Sequence, residues 1–231
     1  IMSEQIIKDV MKLYNNIARD FNTTRTQPWK YIIEYSQKKH QLIVADLGCG
    51  NGRHTIPYAN KGHYTIALDI SEEMLKITKL KAIKNKIFYN IDIVQASLTH
   101  IPLRKNVINL IMCIATLHHI PEKINRINAL KEMHEKLEKN GLLIITVWNL
   151  LQPRHIKNII KTFIFTKRLK IKDVYVPWKH KGSILLRYYH LYTKKELYTD
   201  LILAGIKPKI FRLDITPSIF PQNLLAIAKK H

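Results

Sequence analysis

A glycine-rich segment constrains the fold of this chain more than any other feature. It reads Ile43-Val44-Ala45-Asp46-Leu47-Gly48-Cys49-Gly50-Asn51-Gly52-Arg53. The apolar run at its start predicts a buried parallel strand. The three glycines predict a sharp turn whose backbone can approach a ligand closely, because glycine has no Cβ. We expect a helix from about Arg53, with its N-terminus toward that ligand.

An acidic residue follows at the end of the next apolar run. Tyr64–Leu68 predicts a second strand, and Asp69 closes it. A carboxylate at this position can accept hydrogen bonds from the two ribose hydroxyls of a nucleoside, as in dinucleotide-binding folds. The spacing here, G-x-G-x-G, differs from the dinucleotide fingerprint G-x-G-x-x-G. The alternatives are a tight strand–helix turn without a ligand and an acid that only caps a helix or faces solvent.

Strands and helices alternate along the rest of the chain. Further strands are expected within Ile91–Ser97, Val107–Ala115, Leu142–Trp148, Ile206–Asp214 and Asn223–Ala228. Helices are expected at 3–20, 29–39, 72–81 (capped by Ser71), 122–138 (stopped by Asn140-Gly141) and 194–204. This order predicts an α/β fold: a Rossmann-like, seven-stranded, mostly parallel sheet with helices on both faces and a basic insertion after the fifth strand.

A parallel sheet binds its ligands at the carboxyl ends of its strands. This rule predicts that several segments lie around one crevice. They are Gly48–Gly52, Asp69, Ser97, Thr116–His119 and Trp148.

The chain is interpreted as one domain without internal repeats. Its predicted parts are N-terminal helices (1–40), a nucleoside-binding core (41–149), a basic insertion (150–192) and a C-terminal helix with edge strands (193–231).

The charge balance points to a polyanionic partner. The chain carries 38 Lys and Arg against 17 Asp and Glu, a formal net charge of +21. Such an excess is typical of nucleic-acid binding, although a proteome rich in lysine would produce it as well. The stretch 150–190 is the most basic, with ten Lys or Arg and one acid, Asp173.

Other classes of protein are less compatible with the sequence. No apolar run reaches the ~18 residues of a membrane span, and the first residues lack the apolar core of a signal peptide. The two cysteines, Cys49 and Cys113, suggest no disulfide framework, so a cytoplasmic location is expected. Adjacent residues cannot readily share one ion, so His118 and His119 predict no metal site.

The segment from Asp46 to Gly52, with Asp69, resembles motif I of class I S-adenosylmethionine (SAM) methyltransferases. The resemblance implies SAM as the cofactor. The residues that it assigns to cofactor binding are Asp46, Gly48, Gly50, Asn51, Gly52, Asp69, Ile70, Ala96, Ser97 and Ala115. Ser97 stands where this class usually has an acid that meets the adenine amino group.

Further segments of the chain indicate one particular family within this class. They are Phe21-x-x-Thr24-Arg25-x-x-Pro28-Trp29, Ile114–His119, Val147-Trp148, Asp173–Trp178 and Arg187–Tyr192. Together they look like the wobble-uridine carboxymethyl tRNA methyltransferase family, whose members esterify a modified uridine. The resemblance covers nearly the whole chain. Departures are Ser97, Asn109 in place of the usual acid in the fourth strand, and Asn149.

The resemblance implies roles for residues around the acceptor. The catalytic set would be Arg25, His118, Arg187, Tyr188 and His190. The substrate-binding set would be Trp29, Trp148, Lys167, Arg168, Lys170, Lys172 and Trp178. Arginine can present a planar fork to carboxylate or phosphate, and aromatic rings such as Tyr188, Tyr189 and Trp148 can stack on a splayed uracil. Each of these side chains could instead be a core residue or a surface ion pair.

The resemblance also implies two partners, tRNA and a small zinc-binding methyltransferase activator protein. Two other functions stay open from the sequence. One is a small-molecule SAM methyltransferase, since the Leu-His-His segment is shared by many of them. The other is a non-catalytic tRNA-binding subunit, for which Ser97 is the supporting feature.

Overall fold

The structure is a computed structural model that describes residues 2–37, 40–152, 160, 172–213 and 223–231. Its helices are α1 (Met2–Thr24), α2 (Lys30–Ile33), α3 (Thr55–Asn60), α4 (Glu72–Lys84), α5 (Lys123–Lys136) and α6 (Lys194–Leu203). Its strands are β1 (Ile43–Leu47), β2 (Tyr64–Asp69), β3 (Ile91–Gln95), β4 (Ile108–Ile114), β5 (Leu137–Trp148), β6 (Asp173–His180), β7 (Ser183–His190), β8 (Pro208–Leu213) and β9 (Asn223–Lys229).

Seven strands of the described chain form one sheet in the order β3-β2-β1-β4-β5-β9-β8. The first five are parallel to one another, and β9 runs antiparallel to both β5 and β8. The predicted seven-stranded, mostly parallel sheet is therefore confirmed for the described residues, including the antiparallel pair at its edge. The nearly all-apolar β4 lies at the centre, where both faces are covered.

Two apolar layers cover the sheet, because successive residues of a strand point to opposite faces. Ala45 of β1 belongs to the larger core, which contains Leu130 of α5 and Leu201 of α6. Its neighbour Val44 belongs to a second core with Tyr58 of α3. Helices on both faces thus bury the sheet, as the sequence predicts.

Local signals place the elements around the carboxyl ends of the strands. The Ser71 side chain caps α4 by accepting the Met74 N–H at 3.2 Å. Pro57 lies in the first turn of α3, where its missing N–H costs no helical hydrogen bond. The predicted Ser71 cap is confirmed, and both helices begin beside the glycine turn.

The end of α5 differs from the prediction. The helix stops at Lys136, and β5 begins at once at Leu137, which pairs with Ile108. Asn140 has φ of +68° and, with Gly141, lies inside the strand at a register shift rather than at a helix stop. Ile124, in the first turn of α5, is 58% exposed, whereas Ile127 one turn later is buried.

A β-hairpin within the basic insertion is absent from the sequence prediction. Strands β6 and β7 pair antiparallel, with Val176 opposite Arg187, and form a separate two-stranded sheet. The hairpin packs against α1, and a hydrogen bond between His180 Nδ1 and Asp20 Oδ2 at 2.6 Å joins the two elements. The hairpin thereby stands over the carboxyl ends of the main sheet.

Candidate functional site

A cavity of about 390 Å³ lies at the carboxyl ends of the strands, between the glycine turn, α1 and β7. The predicted site residues that line it are Arg25, Trp29, Gly48, Gly50, Asn51, Asp69, Ile70, Ala96, Ser97, Ala115, His118, Trp148 and Arg187. The structure therefore brings together side chains that are more than 160 positions apart in the chain.

Two glycines of the turn are required by their surroundings. Gly48 has φ of +80°, and a Cβ there would lie 2.1 Å from Cγ2 of Thr116. Gly52 has φ of +73°, and its Cβ would lie 2.8 Å from the Thr78 side chain. Only glycine adopts such conformations without steric cost. A Cβ on Gly50 would meet nothing closer than Phe21 at 3.8 Å, so the backbone at Gly50 faces open space.

Asp69 connects the end of β2 to this turn. One carboxylate oxygen accepts the Gly50 N–H at 2.8 Å, and the other accepts the Ser71 N–H at 2.8 Å. Burial raises the pKa of Asp69, although the backbone hydrogen bonds oppose that rise. A carboxylate held in this way, at the rim of an open cavity, fits the two ribose hydroxyls of a nucleoside.

Two residues predicted to bind the cofactor do not line the cavity. Asp46 is buried behind the turn, where Oδ2 accepts a hydrogen bond from Thr55 Oγ1 at 2.7 Å, and burial raises its pKa to about 6. Gly52 packs against Thr78. The alternation of β1 accounts for the first placement, because Asp46 points toward α3 rather than out of the strand end.

Asn51 has a different contact from the expected one. Its amide donates to Asn22 Oδ1 at 2.9 Å and to the Arg25 carbonyl at 3.0 Å. The side chain therefore ties the end of α1 to the glycine turn and positions Arg25 at the cavity.

The opposite end of the cavity is formed by Ile70, Ala96, Ser97 and Leu98. The Ser97 hydroxyl lies 2.9 Å from Thr99 Oγ1. The Ala96 N–H already donates to the Asp69 carbonyl at 3.1 Å, so it is not the free backbone donor that the sequence suggests.

Both histidines after β4 are fixed by the backbone. His118 Nδ1 accepts the Trp148 N–H at 3.0 Å. His119 Nδ1 donates to the Tyr188 carbonyl at 2.9 Å, so its Nε2 accepts from the Tyr14 hydroxyl at 2.9 Å. Burial lowers the pKa of His119 to about 4. His119 is therefore neutral at physiological pH.

Arg187 lies in a ladder of aromatic rings. Its guanidinium carbon is 4.7 Å from the Trp178 ring centroid and 5.4 Å from the Tyr189 centroid. Tyr189 in turn stacks on Trp148, with centroids 4.0 Å apart. Because these two rings already stack on each other, no uracil can lie between them.

The charge of Arg187 is not neutralised within the described residues. The side chain is 8% exposed, no carboxylate lies within 4.0 Å, and its Nε atom has no hydrogen-bond partner there. A buried cation without a counter-ion is costly unless a ligand supplies the negative charge. The cavity therefore favours an anionic ligand group beside Arg187.

Tyr188 and His190 lie outside the cavity. They point to the opposite face of β7, as strand alternation requires. The Tyr188 hydroxyl and His190 Nδ1 both bond to Asp173 Oδ1 at 2.8 Å. The structure thus separates these two residues from Arg187, contrary to the expectation that all three meet the acceptor.

The substrate-binding residues of the insertion are only partly described. Lys172 forms an ion pair with Glu196 at 2.9 Å and does not line the cavity. Trp178 contacts Arg187 and lies 6.4 Å from Phe21, between centroids. The predictions for Lys167, Arg168 and Lys170 fall outside the described residues.

Sequence reasoning missed several residues that line the cavity. They are Ile7, Val10, Tyr14, Phe21, Arg53, His54, Met74 and Leu98. Ile7, Val10, Tyr14 and Phe21 belong to α1, and no local pattern shows that a face of this helix covers a ligand site. Arg53, directly after the last glycine of the turn, could have been suspected from its position.

The described residues contain no group of His, Cys, Asp or Glu that could hold a metal ion, and their two cysteines are buried free thiols. Within the same ranges, no helix combines the length and the apolar character needed to cross a membrane.

Comparison with known proteins agrees with this geometry. Residues 45–145 match a family model described as a methyltransferase domain. The tRNA (carboxymethyluridine(34)-5-O)-methyltransferase of Schizosaccharomyces pombe is 29% identical over 85% of this chain and 87% of that protein. The mouse (Mus musculus) tRNA (carboxymethyluridine(34)-5-O)-methyltransferase ALKBH8 is 30% identical over 72% of this chain. The chain contains a SAM-dependent methyltransferase domain and is similar to these relatives.

Family members differ greatly in length. This chain spans 23% of the mouse ALKBH8 protein and 34% of the mouse "Probable tRNA methyltransferase 9B".

Solved structures agree in fold. A SAM-dependent methyltransferase of Methanosarcina mazei superposes with a TM-score of 0.73 at 18% identity, over 88% of this chain and 98% of that chain. The CcbJ methyltransferase of Streptomyces caelestis gives 0.71 at 16% identity, over 96% and 98%.

SAM is the cofactor of this family fold, and the cavity fits it. The Gly48–Gly52 turn leaves open space at Gly50, and Asp69 stands at the rim of the same cavity. Both are the features that a nucleoside cofactor requires.

Proposed function

We propose that this chain methylates the carboxylate of a 5-carboxymethyl-type uridine at the wobble position of tRNA, giving the methyl ester. The observation that supports it most strongly is the buried, unneutralised guanidinium of Arg187 in the cavity that contains the cofactor residues. A carboxylate acceptor would supply the missing counter-charge. Two relatives that carry this activity in their names support the choice of acceptor.

The cofactor half of the proposal assigns SAM to the glycine turn and Asp69. When bound there, SAM supplies an electrophilic methyl group on a sulfonium. Asp69→Ala would leave ribose hydroxyls without an acceptor and weaken SAM binding by roughly 1–3 kcal/mol. Calorimetry would measure this, and unchanged affinity in the variant would contradict the assignment.

Arg187 acts by holding the acceptor. The Trp178 and Tyr189 rings contact the guanidinium, and its Nε, which has no hydrogen-bond partner within the described residues, can donate to a planar carboxylate. Orientation of this kind can supply several kcal/mol of a reaction barrier. His118 lines the same cavity and completes the acceptor side in this proposal.

No general base is needed for a carboxylate acceptor. Such a group has a pKa near 4, like that of Glu, so it is already ionised at neutral pH. His119 is neutral but is committed to Tyr14 and Tyr188 through both ring nitrogens. The histidines are therefore positioning residues in this proposal.

The positive charge of the chain supports RNA as the molecule that carries the acceptor carboxylate. The net charge of +21 and the ten cations of 150–190 favour a polyanion, and tRNA is the substrate named for the relatives. The same proposal places the protein in the cytoplasm with its tRNA.

Mass spectrometry of wobble nucleosides tests this function. Transfer RNA from a strain lacking the gene would be analysed with and without added protein and SAM. A new methyl ester on the wobble uridine is the expected result. Methylation of a small molecule only, or tRNA binding without SAM binding, would instead support one of the two rival functions.

We also propose that a small zinc-binding activator protein covers the free edge of β3. The 3-10 turn before β3 exposes Phe88 and Tyr89, and the end of α4 exposes Leu80 and Ile83. Lys79 of α4 contacts the Phe88 ring at 5.5 Å, so these apolar side chains lie on neighbouring elements. Exposed apolar groups beside an unpaired edge are typical of a covered interface.

The solubility and activity of the chain expressed alone test the proposed activator interface. The chain expressed alone should aggregate or be poorly active, and Ile83→Glu should abolish co-purification with the activator. Ile202→Glu, on the exposed side of α6, is the control and should leave co-purification intact. A soluble, fully active monomer would refute the proposal.

A further inference from the structure

Three cations lie close to the glycine turn, two of them at the cavity itself. Arg25 and Arg53 both line it, and Arg25 is exposed to solvent. The Arg53 guanidinium lies 5.3 Å from the Trp29 ring centroid. Lys81, on α4, donates to the Asn51 carbonyl at 2.9 Å. The cluster therefore surrounds the outer side of the glycine turn.

No acid of the described chain neutralises this cluster directly. None of the three cations has a carboxylate oxygen within 4.0 Å. Burial and then repulsion by Arg25 lower the pKa of Arg53, and burial and then Arg53 lower that of Lys81. Asp46 opposes the first effect, but it is buried and bonded to Thr55. Like charges held so close disfavour the folded state unless an anion joins them.

The cluster is also held in place. Trp29 covers the Arg53 guanidinium, the Asn51 amide bonds to the backbone carbonyl of Arg25, and Arg25 Nη1 donates to the Thr24 carbonyl at 3.2 Å. Fixed guanidinium groups lose little entropy on binding, and their forked edges match the oxygens of a phosphate.

We propose that Arg53, together with Arg25, binds the RNA phosphate next to the acceptor nucleotide. This inference rests on the proposed function, since it needs an acceptor carried on RNA. In this proposal Arg187, which is only 8% exposed, binds the acceptor carboxylate. Arg53 and Arg25, at the mouth of the cavity, bind the RNA backbone. A nucleotide that enters the cavity leaves its flanking phosphates at that mouth.

A second anion could use the same cations, namely the carboxylate of the cofactor's amino-acid end. The shared chemistry is an anion on a guanidinium fork, so the test must separate the two sources. Arg53→Gln removes the charge while keeping a polar side chain. Lys79→Gln is the matched control, because Lys79 is exposed on α4 and does not line the cavity.

The experiment measures binding, so it does not depend on turnover. The probe is an anticodon stem-loop RNA with 5-carboxymethyluridine at the wobble position, titrated between about 0.05 and 0.2 M salt. Calorimetry with S-adenosylhomocysteine gives the cofactor affinity of the same variants. Arg25→Gln is a second variant, and because Arg25 is exposed, its replacement does not endanger folding.

For Arg53→Gln we expect RNA affinity to fall about tenfold, the usual effect of one charge-assisted hydrogen bond. The slope of log K against log salt should decrease by about 0.7 to 0.9, as expected when one phosphate fewer is neutralised. Arg25→Gln should show the same pattern, and Lys79→Gln should not. Affinity for S-adenosylhomocysteine should stay unchanged in all three.

A fall in cofactor affinity with an unchanged salt slope would overturn the inference in favour of the cofactor carboxylate. An unchanged slope and unchanged affinities would overturn it as well. Absence of methyl transfer, with the slope reduced as expected, would contradict the proposed function and leave the phosphate site standing.

Discussion

Tyr189 stacks on Trp148 with ring centroids 4.0 Å apart and only 5° between the ring planes. The guanidinium carbon of Arg187, two residues earlier on the same face of β7, lies 5.4 Å from the Tyr189 ring centroid. The acceptor side of the cavity is thus a preformed surface of rings and one cation. It can receive an anion at the guanidinium edge without rearranging the rings.

The first prediction concerns the contribution of Arg187 to the free energy of unfolding. Because this buried cation lacks a counter-ion in the described residues, Arg187→Leu should leave the free energy of unfolding within about 1 kcal/mol of the parent, while activity is lost. Arg126→Leu is the contrasting control, since Arg126 bonds to His190 at 3.1 Å and to the Ile120 carbonyl at 3.3 Å. It should cost about 1–3 kcal/mol for each buried acceptor that loses its donor. Urea unfolding checks both, and equal losses would contradict the assignment.

The second prediction uses two glycines with similar backbone conformations. Gly62 has φ of +84°, and a Cβ there would meet no atom within 4 Å, so Gly62→Ala should cost only about 1–2 kcal/mol. Gly48 has φ of +80° and a Cβ that would meet Thr116 at 2.1 Å, so Gly48→Ala should cost a further ~1–3 kcal/mol. Calorimetry should show weakened SAM binding in the second variant alone. Parallel losses in both would mean that the turn does not bind the cofactor.

The third prediction concerns pH. With an ionised acceptor, the single-turnover rate at saturating tRNA should be nearly flat from about pH 6 to 9. His118→Asn should lower the rate but keep the flat profile. A rate that rises tenfold per pH unit up to about 6.5, with the rise lost in His118→Asn, would reveal a histidine base and favour a hydroxyl or amine acceptor.

Stability should respond to pH below that window. The folded pKa of His119 is about 4, below its ordinary 6.5, because burial disfavours the charged ring. Its neutral form therefore contributes stability that is fully present above pH 6.5 and is lost as the pH falls toward 4. Kinetic measurements from pH 6 upward largely avoid this loss.

The fourth prediction concerns the basic insertion. Replacing Lys167, Arg168 and Lys170 with Gln should flatten the salt dependence of tRNA binding by about 0.7 to 0.9 for each phosphate that these side chains neutralise. Lys172→Gln should change the slope little, because Lys172 is paired with Glu196 at 2.9 Å. If the triple variant kept the parent slope, the tRNA would bind elsewhere.

Much of the fold could be predicted because its signals are local. The apolar run of β1, the glycines after it, the Ser71 cap and Pro57 each act within a few residues. The parallel sheet and the place of its ligand then follow from general rules for alternating strands and helices. Asp69 could be placed at the site for the same reason.

The rest depends on contacts that have no local signal. Tyr14 and His119 are 105 positions apart, and Asp20 and His180 are 160 apart. The segment Arg187–His190 could be recognised, but only the pairing of β7 with β6 shows that Tyr188 faces away from the cavity. Without that hairpin, neighbouring residues could not be divided between the two faces.

The most direct test compares two acceptors that differ in a single charge. Matched anticodon stem-loops would carry 5-carboxymethyluridine or its uncharged amide, 5-carbamoylmethyluridine, at the wobble position, with SAM and the protein, with and without its activator. Mass spectrometry of the nucleosides should show one added methyl group on the carboxylate RNA alone, released by mild alkali as an ester requires. A methyl group that resists alkali, or equal methylation of the amide, would contradict the proposed carboxylate chemistry.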